Sequence, residues 1–338
     1  MTRRATIREV ARLAEVSLGT VSNYLNDNKP IAPETRERIE SAIEQLGFIP
    51  NAGVRVMRGG RSHAIAFLIP DSGNPFLVEV SRGIEDVAIG ARHVVVTCNT
   101  DGDPDREEHY ARVLSEMRVV GAVVMAMSAG ETALRRLEAS GAPVVLLGGG
   151  SHGFGFPGID VENTHGGYLA MRHLLSLGHR DIVFVGGPGA EPQIDDRYLG
   201  CLRAYDEYGI DRSRLRRVTA EGNSTTARRE VAERIADGVS EVTAAFCAND
   251  LIALTLQSVL LQRGISVPGR FSVIGYDDID GAAMAPVPLT TVHQPQYELG
   301  RAAAELVLAL AAGESAAGRT RSFEPELVVR SSTAAPPV

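Results

Sequence analysis

Tryptophan is absent from the 338 residues, and aromatic side chains make up only 5% of them. A cleft built from this chain therefore offers few rings on which a flat ligand could stack. Cysteine is nearly missing: Cys98, Cys201 and Cys247 lie far apart, fit no CxxC or metal-ligand spacing, and are odd in number. That usage excludes a disulfide scaffold and suits a reducing compartment, so a cytoplasmic, nucleoid-associated protein is expected. No uncharged apolar run reaches membrane-spanning length, and the opening Met-Thr-Arg-Arg-Ala-Thr has no apolar signal core. Neither a membrane partner nor secretion is expected. HExxH is missing as well, and Gly186-Gly187-Pro188-Gly189 lacks both GxGxxG spacing and a Walker lysine. No metal, no cofactor and no enzymatic activity are expected.

What is present divides in two. The total charge of −8 argues against nucleic acid as a partner, but it is unevenly placed. Residues 1–61 hold ten Arg or Lys against seven Asp or Glu, a balance of +3; the remainder hold 24 against 35, a balance of −11. A small basic head on a large acidic body implies two partners.

In the head, Thr6-Ile7-Arg8-Glu9 spells a capping box, and Ile7, Val10, Ala11 and Ala14 follow the spacing of one helix face. Ser17 starts a second short helix that buries Val21 and Leu25. A third runs from Pro33 to Leu46, buries Ile39 and Ile43, and stops at Gly47. Two short helices with a tight turn and a third behind them form a helix-turn-helix, whose second helix enters the DNA major groove. That helix offers Ser17, Leu18, Gly19, Thr20, Ser22, Asn23 and Asn26; an Asn reads adenine bidentately, and Leu18 suits a thymine methyl. A three-helix protein-binding module is the plainer alternative, and the arginines and polar outer face argue against it. Residues 50–61 make a poor helix alone, because Gly53, Val54 and Val56 interrupt the start at Pro50-Asn51. With Arg55 and Arg58 flanking Met57, the stretch reads as a hinge that orders only on DNA, or else as a plain linker.

From residue 63, short β-branched runs alternate with helical stretches. Ala64–Ile69, Val94–Thr97, Ala122–Ala126, Val144–Leu147, Ile182–Val185, Ala244–Cys247 and Phe271–Ile274 read as buried parallel strands of a doubly wound α/β core. Such sheets bind ligands at the carboxyl ends of their strands. The residues there are Asp71, Asn99, Ser128, Gly148, Gly186, Asn249-Asp250 and Tyr276-Asp277. Asn99 and Asp250 fit ordinary helix caps equally well. His173 and His179 are expected at surface or loop positions, and the cysteines are expected to be structural.

The segments Ile7-Arg8-Glu9-Val10-Ala11, Thr20-Val21-Ser22, Leu25-Asn26, Thr35-Arg36-Glu37-Arg38-Ile39 and Pro50-Asn51 resemble the DNA-binding head of the lac-repressor (LacI/GalR) family. The likeness continues through Asn74-Pro75-Phe76, Leu177-Gly178-His179, Arg197-Tyr198-Leu199-Gly200, Ala248-Asn249-Asp250, Gly275-Tyr276-Asp277-Asp278 and His293-Gln294-Pro295, and so covers nearly the whole chain. It implies a helix-turn-helix head at 1–49, a hinge helix at 50–61, and a two-lobed, periplasmic-binding-protein-like core at 62–338. One lobe would hold about 62–161 plus 292–321, the other 162–291 plus 322–330. The implied protein is a homodimeric regulator, a repressor, on a pseudo-palindromic operator, controlled by a small-molecule effector such as a sugar. A solute-binding protein would share the cleft, but it predicts a signal peptide and no helix-turn-helix.

By the same resemblance, Thr6, Ser17, Leu18, Gly19, Thr20, Ser22, Asn23, Asn26, Asn51 and Arg55 are DNA-contact candidates. Met57 would be the apolar wedge in the minor groove, where the family usually has Leu. The effector set would be Arg197 and Asp277, supported by Asp71, Phe76, Ser128, Asn249 and Gln294. An Arg and an Asp in one dry cleft would alternatively pair with each other. The chain departs from the family at Glu15, where the turn often has Gly, at Gly148, where many members have Asp, and at Ser224, where many have a stacking ring. The cleft is therefore expected to take a smaller or differently shaped polar ligand rather than an ordinary hexose or purine. The ending Ser-Ser-Thr-Ala-Ala-Pro-Pro-Val carries no leucine heptad and argues against a coiled-coil tetramer.

Overall fold

The computed structural model describes residues 5–26, 29–48, 62–125, 130–148, 155–187, 192–220, 222, 224–315 and 320–337. Asn51, Arg55, Met57 and Ser128 lie outside the described residues, and of Asn26 only the backbone is described. The chain divides at residue 62 into two units.

The first unit has helices α1 (Ile7–Leu13), α2 (Leu18–Asn26) and α3 (Pro33–Leu46). The capping box forms: the Glu9 amide donates to Thr6 Oγ1 at 3.4 Å, and the Glu9 carboxylate accepts from the Thr6 amide at 2.8 Å. Between α1 and α2 the backbone turns through Glu15 in the left-handed region, φ 54°. Ser17 then starts α2 by accepting from the Thr20 amide at 3.0 Å. Pro33 opens α3, and Gly47, at φ 56°, closes it. Val10, Ala11, Ala14, Val21, Ile39 and Ala42 form the core. Tyr24 ties α2 to α3 by donating to Glu40 at 2.8 Å.

The second unit is built from two six-stranded sheets. The first lobe carries β1 (Ala64–Ile69), α4 (Pro75–Gly90), β2 (Val94–Asn99), α5 (Pro104–Glu116), β3 (Gly121–Met125), α6 (Glu131–Ala139), β4 (Val144–Leu147) and β5 (Gly158–Val161). The second carries α7 (Asn163–Ser176), β6 (Ile182–Gly186), α8 (Pro192–Glu207), β7 (Leu215–Thr219), α9 (Thr225–Asp237), β8 (Ala244–Cys247), α10 (Asp250–Gln262), β9 (Ser272–Asp277), α11 (Asp280–Met284) and β10 (Thr290–His293). Then α12 (Gln296–Ala311) and β11 (Thr320–Phe323) return to the first lobe, and β12 (Glu326–Val328) to the second.

The sheet orders are β11-β5-β4-β3-β1-β2 and β12-β10-β9-β8-β6-β7. Every pairing is parallel except β10 with β12. The central strands are buried along their length, as their unbroken apolar runs require, while β7 at an edge exposes its arginines.

The chain crosses between lobes after Val161, His293 and Phe323. The last two crossings fall two residues beyond 291 and 321, because His293 still pairs with Asp277 on β9 and Phe323 with Val161 on β5. One helix pair in each lobe packs backbone to backbone through reciprocal glycines. A Cβ on Gly83 of α4 would strike the Tyr297 carbonyl, and one on Gly300 of α12 the Val80 carbonyl. In the second lobe Gly167 of α7 meets the Arg197 carbonyl, and Gly200 of α8 the Thr164 carbonyl.

His179 corrects the surface expectation. It is 1% exposed: Nδ1 pairs with the Thr243 hydroxyl at 2.7 Å, and Nε2 with the Ala334 carbonyl at 2.8 Å and the Ser272 hydroxyl at 3.1 Å. His173 is half-buried against Thr333 at 2.9 Å. Both rings fasten the terminal segment to the second lobe, a long-range contact that local periodicity does not encode.

Candidate ligand site and nucleic-acid interface

The carboxyl ends of β5, β8, β9 and β10 converge on one buried polar cluster. Arg197 projects from α8 and is 6% exposed. Its Nε donates to Asn163 Oδ1 at 2.9 Å and Nη1 to the Ala248 carbonyl, while the guanidinium lies 3.6 Å from the centre of the Tyr276 ring. Asn163 is itself held by the Val161 carbonyl at 3.1 Å and by the Tyr276 hydroxyl at 3.3 Å. The cation is thus fixed by neutral acceptors and a ring face, and among the described residues no carboxylate forms an ion pair with it. Such a group favours a ligand oxygen bearing negative charge.

Asp277 ends β9 at φ 113°, and Asp278 follows at φ 58°. Gln294 donates to Asp277 Oδ1 at 2.7 Å, and Gln296 to its carbonyl. Burial pushes the Asp277 carboxyl up to about 7, against the opposing pull of the Arg197 charge and the Gln294 hydrogen bond. The pairing alternative does not hold: Arg197 and Asp277 feel each other's charge, but each is bound to other partners.

The double left-handed turn is held from behind. Asp250, fully buried, accepts from the Thr291 hydroxyl at 2.6 Å and the Ile279 amide at 2.9 Å. Burial and the Asp277 charge raise its carboxyl well above the usual range. Asp278 accepts from Arg330 at 2.6 Å and from His293 at 3.2 Å. Burial would raise Asp278, but those two hydrogen bonds outweigh it and hold its carboxyl low.

The other expected residues are distributed differently. Asn249 is half-buried, and its Oδ1 caps α10 by accepting from the Ile252 amide at 2.9 Å. Neither Asp250 nor Asn99 is a helix cap; Asn99 accepts from the Ser72 amide at 3.1 Å and donates to Asp101 at 2.7 Å. Asp71 closes a local turn on the Gly73 amide at 2.8 Å. Phe76 is 5% exposed and belongs to the apolar core. Ser224, in place of a ring, caps α9 through the Ala227 amide at 3.1 Å. Arg197, Asp277 and Gln294 therefore come together, and Asp71, Phe76 and Asn249 have structural partners of their own. Sequence reading placed Asp250 at a strand end without its role behind the turn, and it missed Asn163 and Gln193; Gln193 had a local signal, one helical turn before Arg197.

In the first unit, Ser17, Leu18 and Gly19 at the start of α2 are exposed, and Thr20, Ser22 and Asn23 partly so. The Ser17 and Thr20 hydroxyls share a hydrogen bond of 2.8 Å. Thr6 is exposed at the start of α1, with its hydroxyl donating to Glu9 at 2.9 Å. A short helix with small polar groups around its amino end, behind a tight turn, is the geometry that reads base edges.

Comparison with known proteins agrees with both halves. Residues 6–51 match the bacterial regulatory proteins of the lacI family, and residues 171–333 match the periplasmic binding protein-like domain. The HTH-type transcriptional repressor PurR of Aliivibrio fischeri is 34% identical over 330 residues, covering 97% of this chain and 98% of that protein. A LacI family regulator from Enterococcus faecium, solved with bound ribose, is 30% identical, covers 80% of this chain and 99% of its own, and superposes with a TM-score of 0.74. The lac repressor dimer bound to operator and the anti-inducer ONPF shares the fold, at 24% identity and a TM-score of 0.83, over 98% of this chain and 100% of that one. The chain belongs to the LacI family, as a DNA-binding transcriptional repressor with a small-molecule effector.

Proposed function

We propose that the protein acts as a homodimer on a pseudo-palindromic operator, and that a small polar metabolite held by Arg197, Asp277 and Gln294 sets its affinity for that operator. The observation that carries this reading is a buried guanidinium and a buried carboxyl at the strand ends, each held by neutral partners. A ligand oxygen completes the first and a ligand hydroxyl the second. Two copies of α2, through Ser17, Leu18, Gly19, Thr20, Ser22, Asn23 and Asn26, read half-sites in successive major grooves. The hinge, with Asn51, Arg55 and the wedge Met57, spans the central minor groove. Thr6 contacts the phosphate backbone. Asp71, Phe76, Asn249 and Ser128 shape the cleft around the ligand. Coupling requires that the ligand bind one lobe arrangement better than the other, by roughly 1–3 kcal/mol in typical cases.

Selection from a random duplex pool by the full chain tests the operator half, with enrichment of a two-fold symmetric sequence expected and an asymmetric or absent consensus contradicting it. Met57→Ala should weaken specific binding and leave nonspecific binding intact. A thermal-shift screen of pentoses, hexoses and sugar acids tests the cleft. Stabilisation lost in Arg197→Ala, with operator affinity unchanged, is the expected result; a normal response in that variant removes Arg197 from the site.

A further inference from the structure

Asp277 and Asp278 are consecutive residues other than glycine in the left-handed region, at φ 113° and 58°. A backbone in that region persists only where its surroundings over-determine it. Besides the hydrogen bonds from Gln294 and Gln296, the turn is gripped through the Asp278 side chain. Arg330 Nη2 donates to Asp278 Oδ1 at 2.6 Å, and Nη1 donates to the Leu289 carbonyl at 2.9 Å. Asp278 and Leu289 bound the excursion between β9 and β10 that contains α11, so one guanidinium ties both of its ends. The pair is largely shielded from water, with side-chain exposures of 20% for Arg330 and 16% for Asp278. A planar fork held this way fixes direction as well as distance.

Arg330 is itself anchored by the segment that follows β12. Its amide donates to Thr290 Oγ1 at 3.0 Å, and the Ser331 amide donates to the Pro288 carbonyl at 2.9 Å. Ser332 is fully buried; its hydroxyl accepts from the Thr290 amide at 2.8 Å and donates to the Val273 carbonyl at 2.6 Å. Thr333 meets His173, and Ala334 meets His179 and Ser272. Each residue from Arg330 to Ala334 thus lacks helix or strand geometry yet is hydrogen-bonded, forming a strap across the starts of β9 and β10. Closing the sheet needs no cation aimed at Asp278. That contact carries the strap to the carboxyl end of β9, where the ligand site lies.

We propose that Arg330 is a positioning residue of the effector site: from this strap it holds Asp278, and through Asp278 it keeps the Asp277 carboxyl in the cleft. The proposal rests on the effector reading of Arg197, Asp277 and Gln294, and it adds a residue that acts without touching ligand. The affinity of the cleft then depends on a side chain 52 residues further along the chain than the turn it holds.

The test needs no ligand. Burial pushes the Asp277 carboxyl up to about 7, so Asp277→Asn, with no such proton to lose, stabilises the folded chain at pH 8 relative to pH 4. The groups acting on that carboxyl are Arg197 from α8, Asp250 from α10 and Gln294 beyond β10. Freeing the turn admits water to Asp277 and returns its carboxyl toward the usual range. Chemical denaturation of the full chain at the two pH values reads the gain in each background. It is expected to fall to about half or less in Arg330→Gln, because neighbouring groups that depend on each other do not add. Arg330→Lys keeps the charge and loses the fork, so its gain is expected between those of Arg330→Gln and wild type. Thr333→Ala cuts the strap's bond to His173 and leaves Arg330 in place; it should lower stability and keep the full gain. An equal gain in wild type and Arg330→Gln, zero in both included, overturns the positioning role, and so does an equal reduction in Arg330→Gln and Thr333→Ala. Where Arg330→Gln does not fold, an undiminished gain in Arg330→Lys overturns it. No ligand enters these measurements, so a failed thermal-shift screen counts against the effector reading alone.

Discussion

At Asp277, burial and hydrogen bonding pull in opposite directions, and burial wins. The carboxyl titrates near 7 in the folded chain and near 4 when unfolded, so the folded state binds the extra proton between those values. Stability is therefore lost as pH rises through that window, and the penalty is complete above about 7. Asp277→Asn should stabilise the body at pH 8, by no more than about 4 kcal/mol, with a gain that shrinks as pH falls and vanishes near 4. Chemical denaturation across pH measures it, and a gain independent of pH would contradict the assignment. A ligand that donates to this carboxylate must bind the ionised form, so its affinity should weaken below pH 7 and its binding should release a proton. Glu15 raises a separate matter of strain. At φ 54° it holds a conformation that suits glycine, and Glu15→Gly should stabilise the head by about 1 kcal/mol in a denaturant titration. The sequence flagged Glu15 as unusual, because the type of residue a turn prefers is local information. It did not reveal Asn163, or the role of Asp250, because their partners are 34 and 41 residues away.

The elements were legible wherever their ends carry their own chemistry. Thr6, Ser17, Pro33 and Gly47 mark the starts and stops of the head helices in sequence, and the helices begin and end there. The central strands were legible because burial on both faces demands unbroken apolar runs. What escaped was which polar residue at a strand end caps a helix: Asn249, rather than Asp250, accepts from the α10 amide. Adjacent polar residues differ there only in backbone direction, which the fold decides. The glycine contacts between helices escaped too, because nothing local distinguishes a packing glycine from a turn glycine. Their consequences differ by lobe. Gly167→Ala would drive a methyl into the Arg197 carbonyl and should cost about 1–3 kcal/mol while abolishing effector response. Gly83→Ala should cost a similar amount in the first lobe, yet leave Arg197 in place. Loss of ligand binding in both variants alike would show that α8 is not positioned by this contact.

At the scale of the molecule, the net charge of −8 describes neither part. The basic head supplies phosphate contacts, and the acidic body is repelled by the same backbone. Operator affinity should therefore fall linearly in a double-logarithmic plot against salt, as counterion release requires. Fluorescence anisotropy between low and physiological salt checks this, and a flat line would place the binding energy outside phosphate contacts. The two-lobed plan was readable from the alternation of strands and helices, and the crossings only to within two residues, since pairings at strand ends such as His293 with Asp277 leave no mark in local composition.

Those crossings also govern how the body is made. One edge strand of each sheet, β11 in the first lobe and β12 in the second, comes from the segment after α12, later in sequence than every other strand of both lobes. During synthesis each sheet acquires that edge only after the segment beyond α12 has been made. Completion comes to both at once, within the span from Thr320 to Val328, followed by the segment that His173 and His179 fasten. Truncation after α12 removes one edge strand from each sheet, and should therefore destabilise both lobes together.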